Sequence, residues 1–410
     1  MNTMVNLLKP IKQVNQKKEL EYFVLGGALL GCGGGGSLKI GEKLVQRIID
    51  NIEKKGMPIS IVQSDDKKLL DTQGAVVALM GSPQKLDHTD DLTSPLKALQ
   101  ALAKYKNQKA SFCLPIELGA VNSLVPLLVA SEADEDILVV DADGAKRAVP
   151  QLENTTYGHP KTGVSISPSA IANEQSMDHP QNNIEMVLDL CKNTKTVESI
   201  PKSLEDLARE ILCLNQFDQL GGLATYPMEG KDIKAASIDQ TFSLIYYLGE
   251  AIYNAAKGEK VQAVLSFLDS INWNHYTFNG FIKKITFPQS KGGFDKGIVE
   301  IEKNDASGDV LIISIENENL FAEVHNTNNK EVKKWAMAPD LICYMTEDGP
   351  LSNVEIVTKK VGTPITIVGL PTDEKMRNDY IIEGFMDILK ELNFYNGEYI
   401  SIEKLNSSSS

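Results

Sequence analysis

The sequence contains no long hydrophobic run, few cysteines and a deficit of positive charge. No segment approaches the roughly 18 apolar residues of a membrane-spanning helix, and residues 1–23 contain no apolar core of the signal-peptide type. The five cysteines are scattered and form no CxxC pair, which is typical of reduced thiols. The net charge of −14 disfavours nucleic acid and anionic membranes as partners. We therefore expect a cytoplasmic protein that binds neither.

Short cofactor motifs are also missing. The sequence has no HExxH, no HxH and no Cys/His cluster, so the local signal for a metal is weak. Its glycine run, residues 33–36, lacks the Lys-Ser/Thr of a P-loop and the spacing of a dinucleotide fingerprint. We expect no nucleotide cofactor. A divalent metal, with zinc as the first candidate, remains a hypothesis because zinc can draw single ligands from distant segments.

The glycine run is the most distinctive stretch of the chain. It lies within LGGALLGCGGGGSLKI (25–40), between a predicted helix at 18–31 and another at 41–55 for which Ser37 is a candidate N-cap. Residues without Cβ allow close approach to the backbone, and N–H groups at a helix N-terminus can hold an anion. A tight structural turn is the alternative, and both remain open. As a binding loop it would use Cys32, Gly33, Gly34, Gly35 and Gly36.

Strands and helices alternate through the first 155 residues, which predicts an α/β domain with a mainly parallel sheet. In such sheets ligands gather beyond the carboxyl ends of strands. The loops expected at that edge are residues 81–83, 117–122 and 141–144. The predicted strands are residues 59–62, 75–80, 110–116 and 137–140, and the helices between them are residues 96–105 and 119–130.

The remainder predicts a second, α+β domain at 156–405, followed by a disordered tail at 406–410. Residues 153–183 are polar without a clear period and predict a linker or a long loop. Short β-branched segments over 277–371 predict a strand-rich region, with a polar turn at 316–319. The predicted helices of this domain are residues 184–192, 203–214, 237–256 and a closing helix at 378–392 that begins at Asn378.

Three carboxylates follow predicted strands and are candidates for catalysis. Glu117 lies just past one strand with Asn122 near the next helix start, and Asp141 and Asp143 are two residues apart beyond another strand. Such groups can act as a general base or bind a cation. The alternative is structural, with Glu117 in a helix cap or a buried ion pair and the aspartates in a turn neutralised by Arg147.

The other candidates have weaker signals. His159 and His179 lie in polar loops, each followed by Pro, and His159 is the better candidate for a metal ligand or an acid–base residue. Cys32 could be a nucleophile, because a helix N-terminus favours the thiolate. A polar residue that hydrogen-bonds the loop is the alternative role for Cys32.

The chain resembles the S-methyl thiohydantoin desulfurase family, whose N-terminal signature is close to LLGTGGGG. The family usually has Thr where this sequence has Cys32, so a thiolate cannot be the shared chemistry. Blocks in the same order cover nearly the whole chain. They are VVALMGSP (76–83), PIELGAVNSLVPLL (115–128), VVDADGAKRAVPQLENTT (139–156), GGLATYPMEGKDIK (221–234), GGFDKGIVEI (292–301), ENENL (316–320) and TPITIVGLP (363–371).

The resemblance implies a hydrolase acting on a small imidazolone-type ring, a hydantoin or thiohydantoin, in which water replaces a sulfur substituent. The expected catalytic residues are Glu117, Asp141 and Asp143, and a metal would use Glu117, Asp143 and His159. The alternative is a non-catalytic accessory or regulatory subunit of a hydantoinase-like enzyme. We expect a small-molecule substrate and a homo-oligomer. The expected substrate-binding residues are Cys32, Gly33, Gly34, Gly35, Gly36, Asn122, Arg147 and Thr156.

Overall fold

The computed structural model describes residues 8–81, 92–174, 183–190, 200–287 and 296–407. Within these ranges the helices are α1 (Lys17–Leu30), α2 (Leu38–Lys55), α3 (Ser94–Tyr105), α4 (Val125–Glu132), α5 (Ile200–Leu212), α6 (Ile233–Ala236), α7 (Thr241–Asn254), α8 (Lys260–Ser270), α9 (Asn353–Ile356), α10 (Asp379–Glu391) and α11 (Ile402–Asn406). Among these helices, none has the length and apolarity that crossing a bilayer requires.

The strands of the described ranges form two eight-stranded sheets and one small ribbon. The strands are β1 (Gln13–Val14), β2 (Ile59–Val62), β3 (Gln73–Gly81), β4 (Ala110–Pro115), β5 (Leu138–Val140), β6 (Ala142–Asp143), β7 (Ser169–Asn173), β8 (Glu185–Leu188), β9 (Leu220–Glu229), β10 (Ile238–Asp239), β11 (Tyr276–Thr286), β12 (Lys296–Lys303), β13 (Asp309–Glu316), β14 (Glu318–Asn326), β15 (Val332–Met337), β16 (Leu341–Thr346), β17 (Gly349–Leu351) and β18 (Pro364–Leu370).

The first sheet has the order β1-β2-β5-β4-β3-β9-β7-β8 and is only partly parallel. The pairs β2·β5, β5·β4 and β4·β3 are parallel, whereas β3·β9, β9·β7, β7·β8 and β1·β2 are antiparallel. The predicted α/β organisation is therefore confirmed, but the prediction of a mainly parallel sheet was wrong. The antiparallel half comes from strands that the sequence pattern did not reveal.

Those strands also change the predicted organisation after residue 155. The expected loop at 153–183 contributes β7, and the expected helix at 184–192 is the short strand β8, with residues 191 and 192 outside the described ranges. The segment at 221–234 begins with β9, which crosses the sheet beside β3. The first sheet thus contains strands from both sides of the predicted boundary, because β9 pairs with β3, β7 with β9 and β8 with β7.

The second sheet, with the order β15-β14-β13-β12-β11-β18-β16-β17, is antiparallel throughout its recorded pairs. Its inner face alternates apolar residues along β12 and β13, including Val299, Ile301, Leu311 and Ile313. A bulge at Ser314–Ile315 precedes a two-residue register in which Glu316 pairs with Glu318. The predicted strand-rich C-terminal region is confirmed.

Helix ends agree with their capping residues. Ser37 Oγ accepts a hydrogen bond from the Ile40 N–H group at the start of α2, and Asn378 Oδ1 accepts one from Ile381 at the start of α10. Gly56, in a left-handed conformation, ends α2. These predicted caps are confirmed because they depend on residues adjacent in sequence.

Candidate functional site

The glycine run connects α1 and α2 through a loop in which added Cβ atoms would clash with neighbouring atoms. A Cβ atom on Gly34 would lie 2.3 Å from Glu318 Oε1, and one on Gly35 would lie 2.5 Å from the Gly119 Cα atom. Both contacts are far inside van der Waals distance. The glycines therefore exist here because other backbone and side-chain atoms approach the loop closely.

The loop's carbonyl groups accept hydrogen bonds from β14, from α9 and from the segment between β4 and α4. The Cys32 carbonyl accepts from the Asn319 N–H group at 2.8 Å, and the Gly33 carbonyl accepts from the Asn353 N–H group at 2.7 Å. The Gly35 carbonyl accepts from Val121 at 2.9 Å. Because its carbonyl groups face the protein, the loop leaves N–H groups for other partners. The N–H groups of Gly35 and Gly36 donate to no acceptor within the described residues.

A cavity of about 180 Å³ lies beside this loop, where the two eight-stranded sheets meet. This volume lies below the roughly 300 Å³ at which typical ligand pockets begin, so the cavity suits a small ligand. Residues at the end of β3 and just past the end of β4 line the cavity, as expected at the carboxyl edge of parallel strands. Its lining includes Gly33, Gly34, Gly35, Gly36, Leu79, Gly81, Glu117, Asn122, Gln151, Glu205, Arg209, Asn317, Glu318 and Asn353.

Glu117 lies just beyond β4 and is buried. Its Oε1 atom accepts from Asn122 Nδ2 at 2.7 Å, and its Oε2 atom accepts from the Val149 N–H group at 2.6 Å. Burial raises the pKa of Glu117 to about 7, although the two hydrogen bonds oppose this shift. Near neutral pH, this carboxyl can therefore exist in either protonation state.

Glu318 is the second buried carboxyl at the cavity. It is the first residue of β14, and its Oε2 atom has no hydrogen-bond partner among the described residues. Burial first, and then the charge of Glu117, raise the pKa of Glu318 well above its usual range. Two carboxyls with pKa values pushed apart by their surroundings are the usual arrangement of an acid–base pair.

An ion pair borders the same cavity. Arg209 and Glu205, four residues apart on α5, bind through Nη2 and Oε1 at 2.6 Å. Glu205 Oε2 also accepts from the Leu152 N–H group, which fixes the helix against residues 150–152. The pair places one guanidinium group beside a cavity whose other charged groups are carboxyls.

Sequence reasoning did not identify Glu318, Asn353 or the Glu205–Arg209 pair as site residues. Residues 316–319 were predicted to form a polar turn, although ENENL was already one of the family blocks. The i,i+4 spacing of Glu205 and Arg209 on a helix was visible but is common on solvated faces. Tertiary packing alone brings these side chains to the cavity, Glu318 from β14, Asn353 from α9 and the ion pair from α5.

Asp141 and Asp143 lie outside the cavity lining and accept hydrogen bonds from other parts of the protein. Asp141 accepts from the Ser243 N–H and hydroxyl groups and from Gln63, which together hold the first turn of α7. Asp143 accepts from the Ala145 and Lys146 N–H groups of its own turn. Burial raises the pKa of Asp143 to about 7. The Asp143 contacts form a turn, as in the structural alternative, but the hydrogen bonds of the two aspartates go to groups other than Arg147.

Arg147 and Thr156 also lie outside the cavity lining. The Thr156 hydroxyl donates to the Ala236 carbonyl at 2.8 Å and to the Gly144 carbonyl at 3.1 Å. The guanidinium of Arg147 is buried and donates only to backbone carbonyl groups in the recorded contacts. Of the predicted substrate-binding residues, the cavity brings together the four glycines and Asn122.

Cys32 is buried behind the loop rather than in the cavity lining. Its Sγ atom is 3.3 Å from the Leu30 carbonyl oxygen and 3.9 Å from Cys343 Sγ. Burial raises the pKa of Cys32, but the hydrogen bond with Cys343 and the charge of Arg147 lower it to about 7 overall. The thiol is thus acidic, yet it faces a second thiol.

Replacing Cys32 by Ser is therefore expected to leave the turnover number close to that of the unmodified protein. A hydroxyl can still donate to the Leu30 carbonyl, and no bond to substrate is lost. Steady-state kinetics on both proteins would check this expectation. A Cys32→Ser variant that folds but shows no turnover would instead support a nucleophilic thiolate.

The predicted metal ligands do not form a zinc site. His159 lies in a turn, where its Nδ1 atom accepts from the Lys161 N–H group and its ring packs edge-on at 6.1 Å from Tyr380. Asp143 binds its own turn, and both oxygens of Glu117 already accept hydrogen bonds. Within the described ranges, no group of three or more His, Cys, Asp or Glu side chains is arranged to hold a metal ion. The cavity offers oxygen donors without the imidazole or thiolate groups that zinc prefers.

Two further predictions lie partly or wholly outside the described residues. They are His179, and the loop at 81–83, of which Gly81 alone is described and lines the cavity. The expected homo-oligomer stays a prediction.

Domain models of one family match both halves of the chain. The S-Me-THD-like N-terminal domain matches residues 18–179, and the S-Me-THD-like C-terminal domain matches residues 199–384. The chain belongs to the S-Me-THD-like family. This confirms the resemblance to S-methyl thiohydantoin desulfurases. It also explains why the site contains blocks from both halves, since the glycine run and Glu117 come from the first domain and Glu318 and Asn353 from the second.

A solved structure with the same fold aligns with nearly the whole chain. The X-ray crystal structure of a protein from Chromobacterium violaceum is 25% identical, with a TM-score of 0.77 over 96% of this chain and 100% of that chain. No curated protein matches this S-Me-THD-like chain. The fold and the family are thus established.

Proposed function

We propose that the protein is a hydrolase that removes a sulfur substituent from a five-membered imidazolone-type ring. The model substrate is an S-methyl thiohydantoin, in which the ring carbon between the two nitrogens bears the S-methyl group. Water adds to that carbon, the carbon–sulfur bond breaks, and the products are a hydantoin and methanethiol. Family membership supports a role related to thiohydantoins.

The observation that carries this proposal is the pair of buried carboxyls at the cavity. Glu117, with a pKa of about 7, is partly ionised near neutral pH and serves as the general base for water. Glu318, whose pKa is raised much further, stays protonated and serves as the general acid. It donates a proton to the ring nitrogen as water adds, which makes the ring carbon more electrophilic.

The glycine run supplies the remaining element, a set of hydrogen-bond donors. As water adds, electron density shifts onto the ring before the proton of Glu318 is fully transferred, and N–H groups fixed beside the ring stabilise that developing charge. The N–H groups of Gly35 and Gly36 are suited to this role because both residues line the cavity and neither N–H group donates to an acceptor within the described residues. As the carbon–sulfur bond breaks, Glu117 gives the proton it took from water to the departing sulfur, which leaves as methanethiol. The hydroxyl proton returns to Glu318 as the hydantoin carbonyl forms, so both carboxyls regain their starting states.

The proposal is tested by incubating the purified protein with an S-methyl thiohydantoin and following thiol release with a chromogenic thiol reagent. Hydantoin formation, followed by chromatography, should match thiol release in a one-to-one ratio. The matched control is the same ring without its sulfur substituent, which yields no thiol. Failure to form hydantoin from a panel of ring-substituted S-methyl thiohydantoins, by protein shown to be folded, would reject the proposal.

The pH dependence of kcat/KM provides a second expected result. The base must be ionised, so activity is lost as pH falls through the Glu117 pKa of about 7. Below that value we expect kcat/KM to fall about tenfold per pH unit, which is the slope of a single essential group. Activity declines again at higher pH, when Glu318 ionises. A profile that stays flat between pH 5 and 7 would remove Glu117 from the role of base.

A further inference from the structure

Arg147 is the largest charged side chain buried in the described part of the protein, and all its recorded side-chain hydrogen bonds are to backbone carbonyls. Its Nε atom donates to the Ala148 carbonyl at 2.8 Å, and its Nη1 atom donates to the carbonyls of Pro339 and Asp340 at 3.2 and 2.8 Å. Its Nη2 atom donates to the Asn319 carbonyl at 3.1 Å. These bonds link the first domain directly to the second sheet.

The backbone groups that Arg147 holds are adjacent to both proposed catalytic carboxyls. On the first domain, the Arg147 carbonyl accepts from the N–H group of Leu118, the residue after Glu117, at 3.2 Å. Ala148 precedes Val149, whose N–H group binds Glu117 Oε2.

On the second sheet, the bound carbonyl belongs to Asn319, the residue after Glu318. The N–H group of Asn319 in turn donates to the Cys32 carbonyl of the glycine loop. One guanidinium group is thus connected to the segments that carry the base, the acid and the loop.

We propose that Arg147 is a positioning residue that holds Glu117 and Glu318 at a fixed separation across the interface of the two domains. The inference rests on the proposed function, which identifies this pair as base and acid. Arg147 acts through the protein, because its recorded bonds go to carbonyl groups and its guanidinium packs 5.5 Å from the centre of the Phe385 ring.

The role also has an electrostatic part, in which the charge of Arg147 limits how far burial raises the pKa of both carboxyls. Burial raises the pKa of Glu117 most, and the charge of Asp143 raises it further, whereas Arg147 lowers it. The hydrogen bonds from Val149 and Asn122 lower it as well. Without the guanidinium, the base would be protonated over more of the neutral range.

The surroundings of Glu318 have the same arrangement. Burial and the charges of Glu117 and Cys32 raise the pKa of Glu318, and Arg147 and Arg209 lower it. Arg147 is therefore the cation shared by both carboxyls. Its removal should change both titrations in the same direction.

Two substitutions separate the positioning effect from the charge effect. Arg147→Lys keeps the positive charge but cannot reach four carbonyl groups in the same geometry, and Arg147→Met removes the charge and the donors together. Arg377→Met is the matched control, because Arg377 is a half-buried arginine that pairs with Asp340 and Glu403 away from the cavity lining. Thermal unfolding and circular dichroism establish which variants are folded.

For Arg147→Lys we expect kcat to fall about 100-fold, since a displacement of about 1 Å in a catalytic group has effects of this size. The pH at which its kcat/KM falls to half on the acidic side should stay near that of the unmodified protein. For Arg147→Met we expect a similar loss of kcat, together with an upward shift of this acidic midpoint by about one pH unit or more. Arg377→Met should lower the melting temperature without moving the acidic midpoint.

A readout without substrate keeps this inference separate from the proposed reaction. Carboxyl carbons of ¹³C-labelled glutamate can be titrated by NMR, with the Glu117 and Glu318 signals assigned by their loss in Glu117→Gln and Glu318→Gln. Both titrations should move upward in Arg147→Met even if the substrate has been misidentified. If Arg147→Met does not fold, Phe385→Leu tests the same point, because a guanidinium loosened from the ring should shift both titrations partway upward.

Unchanged titrations in folded Arg147→Met, or in Phe385→Leu where that variant replaces it, would overturn the electrostatic part of the inference. Retention of full turnover by folded Arg147→Lys would overturn the positioning part. Absence of turnover in the unmodified protein, with the titrations shifted as expected, would reject the proposed reaction and leave the role of Arg147 in place.

Discussion

Replacing Glu117 by Gln is expected to lower kcat by about 10²- to 10⁴-fold, the usual contribution of a positioned general base. The amide has nearly the shape of the carboxyl but cannot accept a proton from water. Its oxygen can still accept one of the two hydrogen bonds now made by Val149 and Asn122. Thiol release and thermal unfolding, measured on the same preparation, would check the result.

Asp141→Asn is the matched control for this variant. Asp141 is also a buried carboxylate just beyond a strand, but it binds Ser243 and Gln63 at the start of α7 and lies outside the cavity lining. We expect a stability loss of about 1–3 kcal/mol, because a buried donor loses its acceptor, and nearly unchanged kcat. The opposite pattern, with Asp141→Asn inactive and Glu117→Gln active, would move the base to Asp141.

Replacing Gly34 by Ala is expected to lower kcat strongly and to lower the free energy of unfolding moderately. The new methyl group would lie 2.3 Å from Glu318 Oε1 and 2.6 Å from Glu318 Cγ, so the acid must move away from the loop. Overpacking of this kind costs about 1–3 kcal/mol of stability. Because the methyl group meets the proposed acid itself, we expect at least about a 100-fold loss of kcat.

Gly163→Ala controls for the general effect of replacing a loop glycine. No atom lies within 4 Å of a Cβ built at Gly163, although its positive φ of 74° costs stability. This variant should lose some stability and keep full activity. A double variant, Gly34→Ala with Glu318→Asp, should recover part of the stability lost in Gly34→Ala, because the shorter acid leaves room for the methyl group. Additive losses in the double variant would show that the two residues do not interact.

Local features of the structure were largely predictable from the sequence. The helix starts at Ser37 and Asn378, the strand at residues 59–62 and the strand-rich region after residue 277 depend on capping side chains and β-branched runs. These signals act between residues near one another in the chain. The strands β7, β8 and β9 were missed because their stability depends on pairing with distant strands, which short-range patterns do not record.

Some features of the candidate site were likewise predictable from the sequence, and others were not. The glycine run and the Glu117–Asn122 loop were recognisable, since runs without Cβ and polar residues after strands are unusual in a packed domain. Asp141, Asp143 and Arg147 had equally suggestive patterns, yet all three bind groups of the protein itself. Asp141 binds Ser243 and Gln63, Asp143 binds N–H groups of its own turn, and Arg147 binds backbone carbonyl groups that include those of the second sheet. Whether a buried carboxylate has its hydrogen bonds satisfied by the protein cannot be seen before the chain is folded.

The sequence by itself determined the family, the strand-rich C-terminal region and the loop beside which the cavity forms. The tertiary structure alone decided which carboxyls face that loop, because Glu318 reaches Gly34 from a strand about 280 residues further along the chain. It also decided their pKa values, since burial is the largest cause of both shifts. Burial depends on how the domains pack together, so it cannot be predicted from a short segment of the sequence.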